Sequence, residues 1–215
     1  MKRTQAKEPS KLQFYWYEIK PIEAKGDAWG QFVGSIHRLR DIDEELTDAL
    51  RQRDIQKRLR RLTRITESYL YRAYELRERV VNLLEVVSGD EKLAKATKNP
   101  KKRANALKKI QGSHGAICEG VDRLMDMLDD DMLLRNMHTH ERFLSLGLMA
   151  YDGPYDPDDV LTDLEHQPDK YRAMTSLLRK ETRKLADEYR TRIRSVRDAA
   201  FALAEIADPI RSPKK

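Results

Sequence analysis

The residues of this chain that are best suited to chemistry lie in one short segment, Arg135-Asn136-Met137-His138-Thr139-His140. Arg135 and His140 are five positions apart in a stretch that the sequence predicts to be helical, and Asn136 directly follows the arginine. A guanidinium holds a phosphate through paired hydrogen bonds, and an imidazole transfers protons near neutrality because its ordinary pKa is about 6.5. These two functions suffice for RNA cleavage without a metal ion.

His138 is a second histidine in the segment, two residues before His140. On a regular helix these positions are about 200° apart, so both imidazoles cannot point into one site. We therefore assign the catalytic role to His140 and an accessory role to His138. The alternative for the whole segment is an ordinary helical surface on which Arg135 and His140 make polar contacts.

Side chains that bind metals are also frequent near this segment, but their spacing fits no common ligand pattern. The sequence contains no HExxH and no paired Glu-x-x-His, the arrangements expected of zinc and di-iron helices. An acidic run at a helix boundary usually complements the helix dipole. We predict no metal site and no cofactor, and a metal-binding helical protein is the least favoured alternative, with these ligand candidates: Asp126, Asp129, Asp130, Asp131, His138, His140 and Glu141.

The composition is that of one helical domain with a charged surface. Of the 215 residues, 36% are charged and 40% hydrophobic, and only 9 are glycine and 8 proline, which is typical of long helices. The net charge of +6 permits contact with phosphates. The single cysteine, Cys118, excludes an internal disulfide and is predicted to be a buried, inert thiol in a reducing compartment. With no secretory signal and no apolar run of the ~20 residues that span a bilayer, we expect a cytoplasmic protein without a membrane partner.

Helical periodicity dominates from Asp27 onward. Apolar residues three or four positions apart define a first amphipathic helix and then a stripe of about thirty residues. Asp54 is the predicted cap of this second helix, and Ser88-Gly89-Asp90 ends it. In the lysine-rich stretch that follows, we predict a break at Pro100 and a return to helix near Arg103.

The second half of the chain contains two further apolar stripes. The first passes through residues 117–128 and reaches Asp129-Asp130-Asp131, which either starts a helix or lies within a longer one. Residues 151–159 contain two prolines and a glycine and are predicted to form a loop. Pro168 opens the last helix, and Asp208-Pro209 ends it.

Long amphipathic helices that each need a partner for an apolar stripe predict an all-α fold. We expect an antiparallel bundle of about four to five long helices with a short extended N-terminal arm. The chain then divides into an arm at 1–26, a helical domain at 27–208 and a C-terminal tail at 209–215. Within the arm, residues 12–22 are aromatic and β-prone, and they are either an edge strand or an arm laid over the helices or over a second subunit.

Two arginine-rich stretches are candidates for contact with an RNA backbone. Arg58, Arg61 and Arg64 follow one another at intervals of three on the second helix, and Arg190 and Arg194 are four apart on the last one. Each cation that contacts a phosphate adds a salt-dependent contribution to affinity. The alternative is a solvated helical face whose charges pair along the helix.

The segment Leu133-Leu134-Arg135-Asn136-Met137-His138-Thr139-His140 resembles the signature of the HEPN family (higher eukaryotes and prokaryotes nucleotide-binding). That signature is an arginine, a polar residue that is often asparagine, several variable residues and a histidine. The match covers these eight residues, including the apolar lead-in. From about residue 30 to 208 the resemblance rests on the helix pattern, and it implies an HEPN-like helical bundle.

The resemblance also implies a function, that of a metal-independent endoribonuclease that cleaves single-stranded RNA where two copies of the motif meet across a homodimer. His140 would act as general acid/base in the attack of a ribose 2′-hydroxyl on the adjacent phosphorus. Arg135 would stabilise the charge on the phosphate oxygens, and Asn136 would orient the histidine or contact the phosphate. A toxin or antiphage role is implied as well, with a cognate antitoxin or a nucleotidyltransferase-like protein as partner. The alternative is a non-catalytic helical module that binds RNA or a partner protein.

Overall fold

The computed structural model describes residues 28–112, 114–140, 164 and 166–208, without the side chains of 137–140. All regular secondary structure in these residues is helical, which confirms the all-α prediction for this part of the chain. The predicted N-terminal arm (1–26, with 12–22), the predicted loop (151–159) and the C-terminal tail (209–215) lie outside the described residues. The six helices of the described part are α1 Ala28–Arg51, α2 Ile55–Ser88, α3 Glu91–Ala96, α4 Pro100–Ile110, α5 Gly115–His140 and α6 Pro168–Ala207.

Local capping chemistry sets several of the helix ends, as the sequence predicts. Asp54 precedes α2 with extended backbone, and its carboxylate accepts a hydrogen bond of 3.1 Å from the backbone N–H of Lys57. Helix α2 ends at Gly89, whose φ of 67° lies in the left-handed region that glycine adopts without strain. Pro168 occupies the first turn of α6, where a missing N–H removes no helical hydrogen bond.

Two boundaries in the middle of the chain differ from the prediction. Helix α4 begins at Pro100 rather than near Arg103, because the Asn99 side chain accepts a hydrogen bond of 3.0 Å from the backbone N–H of Lys101 and so caps the helix directly. The acidic residues 129–131 lie inside the continuous helix α5, so the alternative that they start a new helix is wrong. Among the described helices, none combines the length and the apolar character needed to span a bilayer.

The four long helices share one hydrophobic core. Helix α1 packs against α2 and α6, and α5 packs against the same two helices. Trp29 at the start of α1 donates a hydrogen bond of 3.1 Å to the carbonyl oxygen of Ala204 at the end of α6, and Asp43, further along α1, accepts one of 2.7 Å from Arg190, earlier in α6. These two helices therefore run antiparallel. Cys118 of α5 belongs to this core, as predicted, and burial raises the pKa of its thiol.

A buried arginine attaches the short helices to the long ones. Arg103 of α4 is only 2% exposed, and its guanidinium donates to the carboxylates of Asp126 and Asp129 on α5. It also donates to the carbonyl oxygen of Thr97 at 3.1 Å. Arg77 of α2 donates to Asp129 as well, at 3.2 Å. Two of the acids that the sequence offers as metal-ligand candidates are therefore bound to arginines that hold α2, α4 and α5 together.

Candidate functional site

Arg135 lies near the end of α5, next to two tyrosines of α2. Its guanidinium carbon is 4.0 Å from the centroid of the Tyr74 ring and 5.6 Å from that of Tyr71. Both distances fall within the about 6 Å over which an aromatic face attracts a cation. The two tyrosines therefore hold the Arg135 side chain against α2.

Several large apolar side chains near Arg135 are exposed to solvent. Leu133 is 63% exposed, Leu134 is 44% exposed and Tyr71 is 53% exposed. Leu133 and Arg135 are about 200° apart around α5, so residues 133–136, which are exposed or half-buried, surround the last turns of this helix rather than form one face. We call Tyr71, Tyr74, Leu133, Leu134 and Arg135 the motif patch.

The backbone of α5 is helical through residue 140, which fixes the relative positions of the motif residues on the helix. Position 138 is three residues after Arg135 and lies on the same face of a regular helix, whereas position 140 is about 140° around it. The imidazoles of His138 and His140 lie outside the described side chains. The structure thus places Arg135 and the exposed Asn136 at the surface near one helix end. The meeting of Arg135 with either imidazole stays a prediction.

Among the predicted RNA-binding residues, Arg58 is buried and hydrogen-bonded to the backbone. It is 8% exposed, and its guanidinium donates to the carbonyl oxygen of Leu50 at 2.7 Å and to that of Gln52 at 2.8 and 3.1 Å. These carbonyls belong to the end of α1, where the last carbonyl groups of a helix have no N–H partner within the helix. Arg58 therefore caps α1, and this position favours a structural role over contact with RNA.

The other predicted RNA-binding residues are more accessible, but two of them share one carboxylate. Arg190 lies 2.7 Å from Asp43 and Arg194 lies 3.1 Å from it. Burial raises the pKa of Asp43, but the hydrogen bonds and charges of the two arginines outweigh burial and hold that pKa below its ordinary value. Arg61 and Arg64 are exposed on α2. The positive charge of the Arg190–Arg194 pair is thus partly neutralised.

A basic groove that the sequence alone does not identify runs along α6. It has a volume of about 1100 Å³, and Met127 of α5 is part of its wall. Its signal in the sequence is a run of cations three and four positions apart in the first half of α6, upstream of Arg190 and Arg194. We call it the α6 groove, and the cations among its described lining residues are Arg179, Lys180, Arg183, Lys184 and Arg192.

A buried polar network holds one of these cations in place. Arg192 donates to the carboxylate of Asp131 at 3.3 Å and to the carbonyl oxygen of Met127. The hydroxyl of Tyr69 donates to the same carboxylate at 2.8 Å. Burial raises the pKa of Asp131, even though Arg192 and Tyr69 favour its charged form. The network joins α2, α5 and α6 at the base of the groove.

Within the part of the chain that the structure describes, no three His, Cys, Asp or Glu side chains are grouped so that they could hold a metal ion. Comparison of the chain with family models, with characterised proteins and with solved structures found no match.

Proposed function

We propose that this chain is a metal-independent endoribonuclease that acts as a homodimer, with Arg135, Asn136 and His140 in a site shared by two subunits. The main support is the position of Arg135 and Asn136 outside the core near the end of α5, with Arg135 held over Tyr74. Long helices that pack around a common core also agree with the antiparallel, HEPN-like bundle that the eight-residue motif implies.

The proposed reaction is an internal transesterification of RNA. The imidazole of His140 removes the proton from a ribose 2′-hydroxyl, and the 2′-oxygen forms a bond to the adjacent phosphorus. The bond from phosphorus to the 5′-oxygen of the next nucleotide breaks, and this oxygen takes up a proton from the second imidazole of the dimer. Arg135 stabilises the negative charge that develops on the non-bridging oxygens. The products are a 2′,3′-cyclic phosphate and a 5′-hydroxyl.

The motif patch supports the homodimer in this proposal. Leu133, Leu134 and Tyr71 expose apolar surface, and burying it against another copy is favourable by roughly 25 cal/mol for each Å². A two-fold dimer brings the same patch of both subunits together. Two Arg135 guanidiniums then approach each other, and a phosphate between them would relieve their repulsion.

The biological role in this proposal is that of a cytoplasmic toxin or antiphage effector, restrained by a cognate antitoxin or a nucleotidyltransferase-like partner. This part is supported by the resemblance of residues 133–140 to the family signature. The RNA-cleaving activity is the part that can be measured on the purified chain.

The test is cleavage of a labelled single-stranded RNA in the presence of EDTA. The wild-type protein should cut the RNA and leave 2′,3′-cyclic phosphate ends. Arg135→Ala and His140→Ala should each reduce the rate at least about hundredfold, because charge stabilisation and acid–base catalysis each contribute about that much. His138→Ala should keep most of the rate, since we assign His138 only an accessory role.

Two matched variants control for the loss of an arginine or a histidine as such. Arg123→Ala removes an exposed arginine from the same helix, and His166→Ala removes an exposed histidine from outside the motif. Both should cleave at the wild-type rate. Unchanged cleavage by Arg135→Ala and His140→Ala, or an equal loss in the two controls, would remove the proposal.

The second candidate is a non-catalytic helical module that binds RNA or a protein partner through the same surface. It is favoured by the contact of Arg135 with Tyr74, because a guanidinium 4.0 Å from the ring centroid already bridges α5 and α2. In that case the wild-type protein binds RNA and leaves it intact, and Arg135→Ala lowers affinity or stability.

A further inference from the structure

The α6 groove carries more positive than negative charge. Five cations line it, and two acids, Asp187 and Glu188, are among its described lining residues. Lys184 lies 3.8 Å from Glu188 and Arg192 lies 3.3 Å from Asp131, so these two charges are partly neutralised. Arg179, Lys180 and Arg183 are exposed on the helix. A concave surface of one sign concentrates the electric field and attracts ligands of the opposite charge. The groove therefore fits a polyanion better than an uncharged or cationic ligand.

Three arginines are held close together at one end of the groove, although they repel one another. Arg179 donates a hydrogen bond of 3.2 Å to the carbonyl oxygen of Arg53 in the α1–α2 turn, the turn that Arg58 also caps. Burial, and then the charges of Arg179 and Arg183, lower the pKa of Arg58. Like charges at short range destabilise the free protein. A phosphate that binds the exposed Arg179 or Arg183 would relieve this repulsion.

The groove leads to the end of α5 that carries the motif. Two contacts fix the register of α5 against α6. Gly120 of α5 lies against Leu203 of α6, where a Cβ on the glycine would be 3.1 Å from the leucine side chain. Eleven residues further along α5, Asp131 contacts Arg192, which lies eleven residues before Leu203 on α6. The two helices therefore run antiparallel with equal rise. Nine more residues along α5 bring position 140 to about the level of Arg183.

We propose that the α6 groove binds the sugar–phosphate backbone of single-stranded RNA and directs it toward the end of α5. The choice of RNA rests on the proposed function, whereas the affinity for phosphates rests on the groove itself. Arg192, whose charge Asp131 partly neutralises, lies at one end, and Arg183 and Lys184 supply exposed cations at the level of the motif. The stretch from 176 to 195 is about 28 Å long at 1.5 Å per residue, long enough for several phosphates.

The test measures the affinity of the full chain for a labelled single-stranded RNA by fluorescence anisotropy. EDTA and a His140→Ala background keep the RNA intact during the measurement. The groove variant combines Lys180→Gln, Arg183→Gln and Lys184→Gln in that background. Its affinity at low salt should fall about tenfold or more. The slope of log K against log salt should decrease by about 2, because each phosphate that a side chain neutralises on a single strand contributes about 0.7.

A matched control removes the same charge from another exposed helical surface. Lys101→Gln, Lys102→Gln and Lys108→Gln on α4 should leave the affinity and the salt slope unchanged. The groove variant should unfold at no lower temperature than its parent, because removing Arg183 relieves repulsion near Arg58. Equal losses in the groove and control variants, or unchanged RNA affinity in the groove variant, would overturn the proposal. A groove variant that loses affinity for anionic lipid vesicles but keeps its affinity for RNA would also overturn the proposal.

The outcomes also separate this proposal from the endoribonuclease. If RNA binding depends on Lys180, Arg183 and Lys184 but the wild-type chain does not cleave RNA, the groove proposal stands and the endoribonuclease proposal is wrong. If the groove variant with His140 restored binds and cleaves RNA as well as the wild-type chain does, the endoribonuclease proposal stands and the groove proposal is wrong.

Discussion

Arg58, Arg103 and Arg135 are arginines in three different environments. Arg58 satisfies backbone carbonyls at the end of α1, and Arg103 satisfies carboxylates and a carbonyl beneath α3 and α4. Arg135 lies over a tyrosine ring near the protein surface. The first two contribute to stability through buried hydrogen bonds, whereas the third is half-buried near the surface and is the one for which we propose contact with a substrate.

Replacing Arg103 with alanine should lower the free energy of unfolding by about 2 kcal/mol, because the buried carbonyl oxygen of Thr97 loses this donor and the carboxylate of Asp129 keeps Arg77 but loses Arg103. Urea unfolding followed by circular dichroism measures this change. The adjacent Lys102 is exposed, and Lys102→Ala should change the stability by less than about 0.5 kcal/mol. Equal effects of the two substitutions would show that Arg103 does not hold α4 to α5.

Asp43 should make the stability of the chain sensitive to acid. Its pKa in the folded chain lies below the ordinary value of 3.8, because Arg190 and Arg194 outweigh the effect of burial. An acid of this kind stabilises the fold above its ordinary pKa, and the stabilisation is lost as the pH falls through the lower folded value. The difference in unfolding free energy between wild type and Asp43→Asn should therefore shrink when the pH is lowered from neutrality to below 3.8. A difference that stays constant with pH would contradict this account.

At the scale of the helices, the cap of α2 should act mainly through the hydrogen bond that its side-chain oxygen accepts, since its ion pair with Lys57 is exposed. Asp54→Ala removes the acceptor for the Lys57 N–H and should lower the free energy of unfolding by about 1 kcal/mol. Asp54→Ser keeps an acceptor at this position and should retain most of the stability. Thermal unfolding of the two variants side by side measures the effect, and an equal loss in both would show that the hydrogen bond is not the cause.

Those parts of the helical arrangement that depend on neighbouring residues could be predicted from the sequence. Asp54, Gly89 and Pro168 act on the backbone within a few residues, so their effect on the helix ends is visible in the chain itself. The start of α4 differs from the prediction because Asn99 caps the helix and Pro100 fits its first turn, so the proline begins a helix here rather than delaying one.

Contacts between distant parts of the chain could not be predicted in the same way. The basic run around Arg58 predicts contact with RNA, but the carbonyl partners of this arginine are set by the turn that brings α1 back against α2. The α6 groove depends on the register of α5 against α6, which no local pattern encodes. For the candidate site, the motif identifies Arg135, but its contact with Tyr74 depends on how α2 and α5 pack.

At the scale of the whole molecule, the motif patch should determine the oligomeric state. Leu133→Glu combined with Leu134→Glu places charges on exposed apolar surface and should convert a dimer into a monomer, with loss of RNA cleavage because the site is shared. Sedimentation velocity measures the mass. Leu177→Glu is a matched control, since Leu177 is 39% exposed on α6 and lies outside the patch. A wild-type chain that is monomeric at micromolar concentration, or double variants that remain dimeric, would contradict the shared site.

The central claim is that an arginine and a histidine of α5 cleave RNA through its own 2′-hydroxyl, without a metal. The most direct measurement incubates the wild-type protein in EDTA with a single-stranded RNA and with the same sequence made of 2′-deoxynucleotides. We expect the RNA alone to be cut, with 2′,3′-cyclic phosphate ends detected by mass spectrometry. RNA that stays intact across varied sequences, or equal cleavage of both strands, would contradict the claim.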